Sequence, residues 1–514
     1  MRTKYSSINI LYSLIGQFVA FFVSFLARII FVRYLSDLYL GVNSLYSSIL
    51  TILSLAELGF GTAIIFSLYK PIYENNEIEI SKFINLFRRI YYIVAGAVLV
   101  SGIVTLPLLK YIIKDDDVLS IGLNKLIIYF LLFLVNAVIS YFMSYKRSII
   151  MADQKKYINT IVKYSFFLLT NITQIILLVL TRNFVLFLIT QIVFTFIENL
   201  VVTKIVNKKY PYILLYKNEK LDDISKRIVY KNAFAMLSHR LGGVTINFAT
   251  SIMITAFLGL SITGKYSNYL FIIVAINSIV SQIFDSFTAS VGNLFASGNI
   301  EQTKKVYFVL LFINHWIAIY TTISIYVLVN PFIEVWLGIE YVFAPEFVII
   351  LSLGFYINIT RKASLLFRDS LGLFWYDRKK PIFEAIIGIS VALLLAKPLG
   401  IYGILLGFII GTLSTANWIE PLILFKHGFM MKVVEYYKKI IPYFITGILG
   451  IISVLFIKEL FVFENVWIEI IFLFAISFFL PNILFILIFL RSEELKYLVA
   501  IVKKILNKII ERRG

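Results

Sequence analysis

The chain alternates between long apolar runs and short polar or basic gaps. Runs of about 20 apolar residues are long enough to cross the hydrocarbon core of a bilayer as α-helices. They are continuously apolar, whereas the strands of a membrane β-barrel alternate over about ten residues, so this pattern excludes such a barrel. The pattern predicts fourteen spanning helices, at 8–33, 40–67, 89–108, 123–145, 159–181, 184–206, 230–258, 264–290, 306–330, 346–368, 381–397, 401–424, 441–458 and 467–490.

Composition supports the same assignment. Of the 514 residues, 60% are hydrophobic and 15% are charged. Ordinary globular chains are about 45–50% apolar and about 25% charged. Because a soluble domain has too little interior for this much apolar surface, we predict an all-α polytopic membrane protein.

The basic residues set the predicted orientation. If the N-terminus is cytoplasmic, the inside segments carry 35 Lys and Arg and the outside segments carry seven. Such a bias is typical of inner loops, so both termini are predicted to be cytoplasmic. The net charge of +19 is spread over these gaps, and no polar domain gathers it, so we expect no nucleic-acid partner.

Several chemistries are excluded by what the sequence lacks. There is no cysteine, the three histidines are far apart, and no phosphate-binding loop of the G-x-x-x-x-G-K-[ST] type occurs. We therefore predict no metal site, no cofactor and no ATP-driven chemistry within the chain. No outside loop exceeds about 16 residues, which also leaves no room for an extramembrane catalytic domain.

An internal repeat organises the helices. Leu35 and Gly41 recur as Leu258 and Gly264, at an offset of 223, and Ile78-Glu79 recurs as Ile300-Glu301, at an offset of 222. Parallel repeats imply a two-fold axis along the membrane normal, with a substrate site between the halves. The predicted domains are a six-helix lobe (1–206), a cytoplasmic linker (207–229), a second six-helix lobe (230–424), helices 13 and 14 (425–490) and a basic amphipathic cytoplasmic tail (491–514).

Polar residues follow the repeat. One face of helix 1 carries Ser13, Gln17, Ser24 and Arg28, and one face of helix 7 carries Arg240, Asn247 and Ser251. Because a charged residue at mid-bilayer is costly, these stripes are expected to line a hydrated cavity, with ordinary interhelical packing as the alternative.

Other intramembrane polar residues lie outside the two stripes. Helix 2 carries Ser47, Thr51, Ser54 and Glu57, helix 8 carries Asp285, and helix 10 carries Arg361 and Lys362. Glu198, Glu384 and Glu420 lie near the inner helix ends and are interpreted as solvated caps. The Gly403, Gly407 and Gly411 spacing in helix 12 predicts a close helix contact.

Three short motifs carry a family resemblance: Arg33-x-Leu35 followed by Leu40-Gly41, then Leu53-Ser54-Leu55-Ala56-Glu57-Leu58-Gly59, then Leu68-Tyr69-Lys70-Pro71-Ile72. With the helix count and the repeat, they resemble bacterial polysaccharide-unit flippases of the multidrug/oligosaccharidyl-lipid/polysaccharide exporter superfamily. The resemblance implies two lobes that work by alternating access in the bacterial cytoplasmic membrane. It also implies a cargo of undecaprenyl-pyrophosphate-linked oligosaccharide, and membrane lipids, a polysaccharide polymerase and chain-length machinery as partners.

For such an anionic cargo, the candidate binding residues are Arg28, Arg240, Arg361, Lys362 and His239, because arginine offers permanently charged, bidentate donors to phosphate. Glu57 and Asp285 are the candidates for ion coupling. Two alternatives remain open: a cation-coupled drug or metabolite exporter of the same superfamily, and a membrane polysaccharide polymerase. Cationic residues outnumber carboxylates at mid-membrane, which favours the flippase over an exporter of cationic drugs.

Overall fold

The computed structural model describes residues 2–54, 65, 67–153, 155–373, 376–500 and 503, with backbone alone at 2–11, 13–14, 115, 228, 231–247, 289 and 296. All regular structure in these residues is helical. The long helices are α1 and α2 (Arg2–Leu53, broken at Ser36), α3 (Glu77–Thr105), α4 (Leu123–Ser144), α5 (Lys156–Thr181), α6 (Phe184–Lys209), α7 (Asp223–Leu258), α8 (Leu260–Asp285), α9 (Ile300–Leu337), α10 (Pro345–Ser370), α11 and α12 (Lys380–Ser414, broken at Gly400), α13 (Val434–Glu459) and α14 (Val466–Ile488).

Eleven helical stretches of the described chain are long and apolar enough to cross a membrane, by length and composition. Two of them contain a residue with non-helical backbone angles, Ser36 and Gly400, and each therefore holds two helices. With α7, these stretches give the fourteen helices in the predicted order. The predicted all-α polytopic fold is confirmed.

Two helices start earlier than predicted because a polar cap precedes an amphipathic turn. Helix α3 begins at Glu77, three turns before the predicted residue 89, because the Asn76 side chain accepts a hydrogen bond from the Glu79 backbone N–H at 3.0 Å. Helix α9 begins at Ile300 behind Asn299, which caps it in the same way. Hydropathy alone detects only the apolar part of such helices.

The chain divides into two compact units, Met1–Ser267 and Asn268–Gly514. In the first, α1 packs on α5, and α4 packs between α3 and α6. The Phe184 ring at the start of α6 makes an edge contact with Tyr129 of α4, with ring centroids 4.9 Å apart. This aromatic packing fixes the start of α6 against its neighbours. The predicted lobe and linker boundaries stay a prediction.

In the second unit, α9 runs against α10, α13 and α14. Phe312 of α9 lies in a buried cluster with Tyr443 of α13 and Phe485 of α14. Leu495 belongs to the same cluster, so the described start of the predicted amphipathic tail, helical over 493–500, packs onto α9, α13 and α14. The rest of that tail lies outside the described residues, except 503.

The internal repeat is visible in the backbone. Ser36 separates α1 from α2 with φ 80° and ψ 172°, and Gly259, at the offset of 223, separates α7 from α8 with φ 97° and ψ 174°. Asn75 and Gly298, related by the same offset, both have positive φ, and the capping residues Asn76 and Asn299 follow them. The offset is therefore 223 at this loop too, one more than the residue match indicated.

Two repeat-related glycines make a reciprocal contact inside the first unit. A Cβ atom on Gly41 would lie 1.9 Å from the carbonyl oxygen of Leu260, and one on Gly264 would lie 2.1 Å from that of Asp37. Asp37 and Leu260 are themselves related by the offset of 223. The contact of Gly41 with Leu260 is therefore the repeat equivalent of the contact of Gly264 with Asp37. This reciprocity is what a two-fold relation requires, and it explains why both positions are glycine.

The three glycines of α12 form the predicted close contact. A Cβ atom on Gly403 would lie 2.1 Å from the carbonyl oxygen of Leu395, and one on Gly407 would lie 2.3 Å from the Ala392 nitrogen. Gly411 faces the backbone of Glu384 in the same way, at 2.8 Å. The predicted close helix contact is confirmed, and its partner is α11.

Candidate functional site

Arg28 borders a small polar cavity in the first unit. The cavity has a volume of about 130 Å³ and is bounded by α1, α2, α5 and α6. Its polar lining residues are Ser24, Arg28, Asn43, Asn171 and Gln174. The Arg28 guanidinium donates a hydrogen bond to the Ser267 hydroxyl. Guanidinium, hydroxyl and amide groups together can bind both an anion and neutral hydroxyls.

A second polar cavity lies between α2, α4 and α6. Its volume is about 350 Å³, and its lining includes Ser47, Thr51, Ser54, Asn136, Ser140 and Gln191. The Oδ1 atom of Asn136 is buried and has no hydrogen-bond partner among the described residues. A buried amide oxygen is normally hydrogen-bonded, so this cavity offers an acceptor for a hydroxyl-rich molecule or for water. Three of the predicted polar residues of helix 2, Ser47, Thr51 and Ser54, line this space.

Arg361 lies inside a buried network of charges in the second unit. Its Nε and Nη2 atoms donate to the two carboxylate oxygens of Glu420, at 3.0 and 2.6 Å, and its Nη1 atom lies 3.6 Å from Glu384. The Glu420 side chain also contacts the ammonium of Lys380 and is fully buried. Two carboxylates therefore already engage the guanidinium that the sequence suggested for cargo binding.

The same network corrects an interpretation of the acidic residues. The sequence predicts solvated caps at Glu384 and Glu420, yet Glu384 is 6% exposed and Glu420 is 0% exposed. Glu384 also accepts a hydrogen bond from the Thr412 hydroxyl at 2.8 Å. Glu198 is half-buried and pairs with Arg147 at 2.8 Å. Apolar helices pack around these helix ends, so the carboxylates need basic partners rather than solvent.

Lys362 and Asp285 lie close together. The Lys362 ammonium donates to the Ser281 hydroxyl at 2.8 Å, and Asp285 is near enough to attract its charge. The Asp285 side chain is exposed. The structure thus brings together one residue predicted for cargo binding and one predicted for ion coupling.

The remaining predicted site residues are only partly described. Ser251 is buried, and its hydroxyl has no partner among the described residues. Gln17 is half-exposed on α1. The side chains of Ser13, His239, Arg240 and Asn247 lie outside what the structure describes, and so does the whole of Glu57.

Sequence reasoning missed most of the buried charge network. The loop before α11 and the helix ends beside it hold Arg368, Asp377 and Lys380. In the sequence these residues resemble the charges of a solvated loop. A signal was present, because Glu198 and Glu420 are separated by an offset of 222, and the repeat therefore relates them. Glu198 pairs with Arg147, just beyond α4, and Glu420 pairs with Arg361, within the equivalent helix α10.

An apolar groove completes the second unit. Its volume is about 310 Å³, and it lies between α9, α10 and α13. The lining residues are almost all hydrocarbon or aromatic, among them Ile319, Ile323, Tyr356, Phe444 and Ile451. Such a surface favours an acyl or prenyl chain over a polar ligand.

Comparisons with known proteins identify the fold. No protein-family model matches the chain, and no match is found among curated sequences. The lipid II flippase MurJ, in an inward closed conformation, is similar in structure with a TM-score of 0.66 and 13% identity, over 93% of this chain and 99% of that one. An inward-facing multidrug resistance MATE family transporter of the MOP superfamily has a TM-score of 0.57 and 15% identity, over 82% of this chain and 95% of that one.

The Vibrio cholerae MATE transporter VcmN is similar as well, with a TM-score of 0.55 and 15% identity, over 84% of this chain and 99% of its own. These identities are low, and the likeness is one of fold. The chain therefore has the fold that MurJ and the MATE transporters share, that of multi-pass membrane transport proteins.

Proposed function

We propose that the chain is a flippase for lipid-linked oligosaccharide units, with undecaprenyl pyrophosphate as the carrier. It would move the units from the cytoplasmic to the outer leaflet by alternating access. The observation that carries the proposal is the likeness in fold to MurJ. That flippase matches 93% of this chain, whereas the two MATE transporters match 82% and 84%.

The cavities fit the chemistry of such a cargo. A pyrophosphate must be stripped of water to cross the bilayer, so it needs fixed positive charge, which Arg28 supplies at a polar cavity. Sugar hydroxyls need donors and acceptors, which the cavity around Asn136 provides. The apolar groove on α9, α10 and α13 suits a prenyl chain. In this proposal Arg361 belongs to the buried ion network, and Arg28 is the leading cargo residue.

Export in living cells tests the proposal. In the strain of origin, loss of the chain should cause lipid-linked sugar units to accumulate in the inner leaflet. Arg28→Ala should reproduce that accumulation at unchanged protein level, and Arg28→Lys should restore export in part, because a point charge replaces a bidentate donor. Arg491→Ala is the matched control, since that arginine is exposed at the end of α14. Normal export in the Arg28→Ala strain would refute the proposed role of Arg28.

A cation-coupled exporter of drugs or metabolites is the second candidate, and the fold likeness to MATE transporters favours it. In either case uphill transport would draw on an ion gradient, the membrane potential or removal of cargo outside, and Glu57 and Asp285 are the candidates for ion coupling. We expect Glu57→Gln to lower transport more than Asp285→Asn and to flatten its dependence on Na⁺ or pH. Efflux of a cationic dye by the same cells separates the two candidates, because a flippase for an anionic cargo should leave dye retention unchanged.

A further inference from the structure

A short segment after α6 is fastened to the start of α3 in the first unit. The Asn85 side chain of α3 donates to the backbone carbonyls of Tyr216 and Glu219, at 2.8 and 3.0 Å. Arg88, one turn further along α3, donates to the carbonyl of Lys217 at 3.4 Å. These bonds hold 216–219 beside the end of α4, on the side of the membrane predicted to be cytoplasmic.

Three cations meet at this point. Lys146, just beyond α4, is 8% exposed, and its ammonium donates to the Asn207 amide oxygen at 2.8 Å. Arg88 and Lys217 are near enough to repel its charge. Burial lowers the pKa of Lys146, and these two like charges lower it further. We call Arg88, Lys146 and Lys217 the inner cation cluster.

The charge of the inner cation cluster is not balanced by an acid within the described part of the chain. Among the described residues, no carboxylate oxygen lies within 4.0 Å of any of its three charged groups. The nearest acid of the fastened segment, Glu219, pairs with Lys82 at 4.0 Å, and the adjacent Arg147 has Glu198. Lys146 is the buried member of the cluster, while Arg88 is half-exposed and Lys217 is exposed. The Asn207 amide that accepts from Lys146 is neutral, so the buried charge is hydrogen-bonded but not offset, which is costly. A bound anion at this point would relieve that cost.

The surroundings of the cluster are apolar on one side. Tyr92 lies one turn beyond Arg88 on α3, Phe142 lies one turn before Lys146 on α4, and their exposed rings are in contact with centroids 5.5 Å apart. Leu214 and Leu215, just before the fastened segment, are exposed as well. A free anion such as inorganic phosphate would make no favourable contact with these apolar side chains. An anion attached to a hydrocarbon chain would bury them.

We propose that the inner cation cluster binds the phosphate of an anionic phospholipid, with the acyl chains of that lipid against Tyr92 and Phe142. Clustered basic residues at the membrane surface attract anionic lipids, and the arginine adds a planar donor pair for phosphate oxygens. The site is separate from the cavity at Arg28. The proposal goes beyond the proposed function and does not depend on which cargo the chain moves.

Lipid binding to the purified full-length chain tests the proposal. The protein in mild detergent is titrated with dioleoylphosphatidylglycerol and, separately, with dioleoylphosphatidylcholine, and bound lipids are counted by native mass spectrometry. Lys146→Gln should weaken phosphatidylglycerol binding at one site by about tenfold, the factor for one lost charge-assisted hydrogen bond. Arg88→Gln combined with Lys217→Gln should weaken it by more than about tenfold, because two charges are removed. Lys438→Gln is the matched control, because it removes a charge from an exposed ion pair with Glu435.

Two comparison titrations, with phosphatidylcholine and with inorganic phosphate, distinguish a lipid phosphate from a free one. The proposal predicts that phosphatidylcholine binds the site more weakly and that inorganic phosphate at millimolar concentration fails to displace the lipid. Unchanged phosphatidylglycerol binding in both variants would overturn it. So would equal binding of phosphatidylcholine, displacement by inorganic phosphate, or tighter binding of undecaprenyl phosphate at the same site. Because the readout is binding, a failure of the flippase proposal leaves this test intact.

Discussion

The ends of α4 and α10 are equivalent in the internal repeat, yet they handle positive charge in opposite ways. In the last turn of α10, Arg368 pairs with Asp377 at 2.6 Å, and earlier in the same helix Arg361 donates to Glu420. Beyond α4, Lys146 donates its hydrogen bond to a neutral amide. One end is thus a neutralised internal network, and the other keeps its charge available for an anion.

The difference shows which part of a duplicated fold is retained. The helix breaks at Ser36 and Gly259, the asparagine caps and the acidic residues Glu198 and Glu420 recur at offsets of 223 or 222. The basic residues beside them do not recur at the offset of 223, because Lys146 corresponds to Asp369 and Arg147 to Ser370. Equivalent backbone therefore carries a structural ion network in one unit and a candidate lipid site in the other.

Removal of the central acid should have the largest effect. Glu420→Ala leaves Arg361 and Lys380 buried without their shared carboxylate. Breaking a buried ion pair in this way costs about 3–5 kcal/mol. Thermal unfolding of the purified chain should show a strongly lowered Tm or loss of folded protein. Glu435→Ala, which breaks an exposed pair, is the control and should stay close to the parent. Parent-like stability of Glu420→Ala would mean that the network is hydrated.

Added volume at the symmetric crossing should come next. Gly41→Ala and Gly264→Ala each place a Cβ atom close to a backbone carbonyl oxygen, at 1.9 and 2.1 Å. Overpacking of this kind costs about 1–3 kcal/mol, and the two variants should be alike because the contact is reciprocal. Gly96→Ala is the control, since nothing lies within 4 Å of its Cβ position among the described residues. Clearly unequal effects on the free energy of unfolding would argue against a two-fold relation at this crossing.

The acid of the first unit should matter less than its equivalent. Glu198→Ala removes the partner of Arg147, but Arg147 keeps the Asn199 amide oxygen at 2.9 Å, and both ionic side chains are partly exposed. We expect a loss of about 1 kcal/mol, as for one hydrogen bond. The same unfolding assay compares it with Glu420→Ala. A loss as large as that of Glu420→Ala would erase the proposed contrast between the two ends.

The smallest effect on stability is expected at the inner cation cluster. Lys146 is charged in a place that lowers its pKa, so folding disfavours its charged form at neutral pH. Lys146→Gln removes that cost and can keep a hydrogen bond to Asn207. Stability in lipid-free detergent should change by less than about 0.5 kcal/mol. A large loss there would place Lys146 among the structural charges, with Arg361.

The helices could be predicted from the sequence because each apolar run must form its own backbone hydrogen bonds within the bilayer. The sequence was sufficient for the repeat because Gly41 and Gly264 are constrained by one close contact. It failed for charges, because a carboxylate such as Glu420 looks the same in sequence whether solvent or Arg361 is beside it. Only the packing of α10 against the helical segment Ala416–Ile423 shows that Glu420 is beside Arg361 and not in solvent. The inner cation cluster was missed for the same reason: Lys217 is brought to Lys146 by a turn that hydropathy does not reveal.

Flipping by the purified chain tests the central claim most directly. Proteoliposomes would carry the chain and a labelled polyprenyl-pyrophosphate-linked sugar, and exposure of the sugar would be followed with a membrane-impermeant oxidant. The account predicts that the chain speeds exposure over protein-free vesicles, that Arg28→Ala abolishes the gain, and that Arg491→Ala keeps it. Exposure at the protein-free rate with the parent chain, or full activity in Arg28→Ala, would contradict the account.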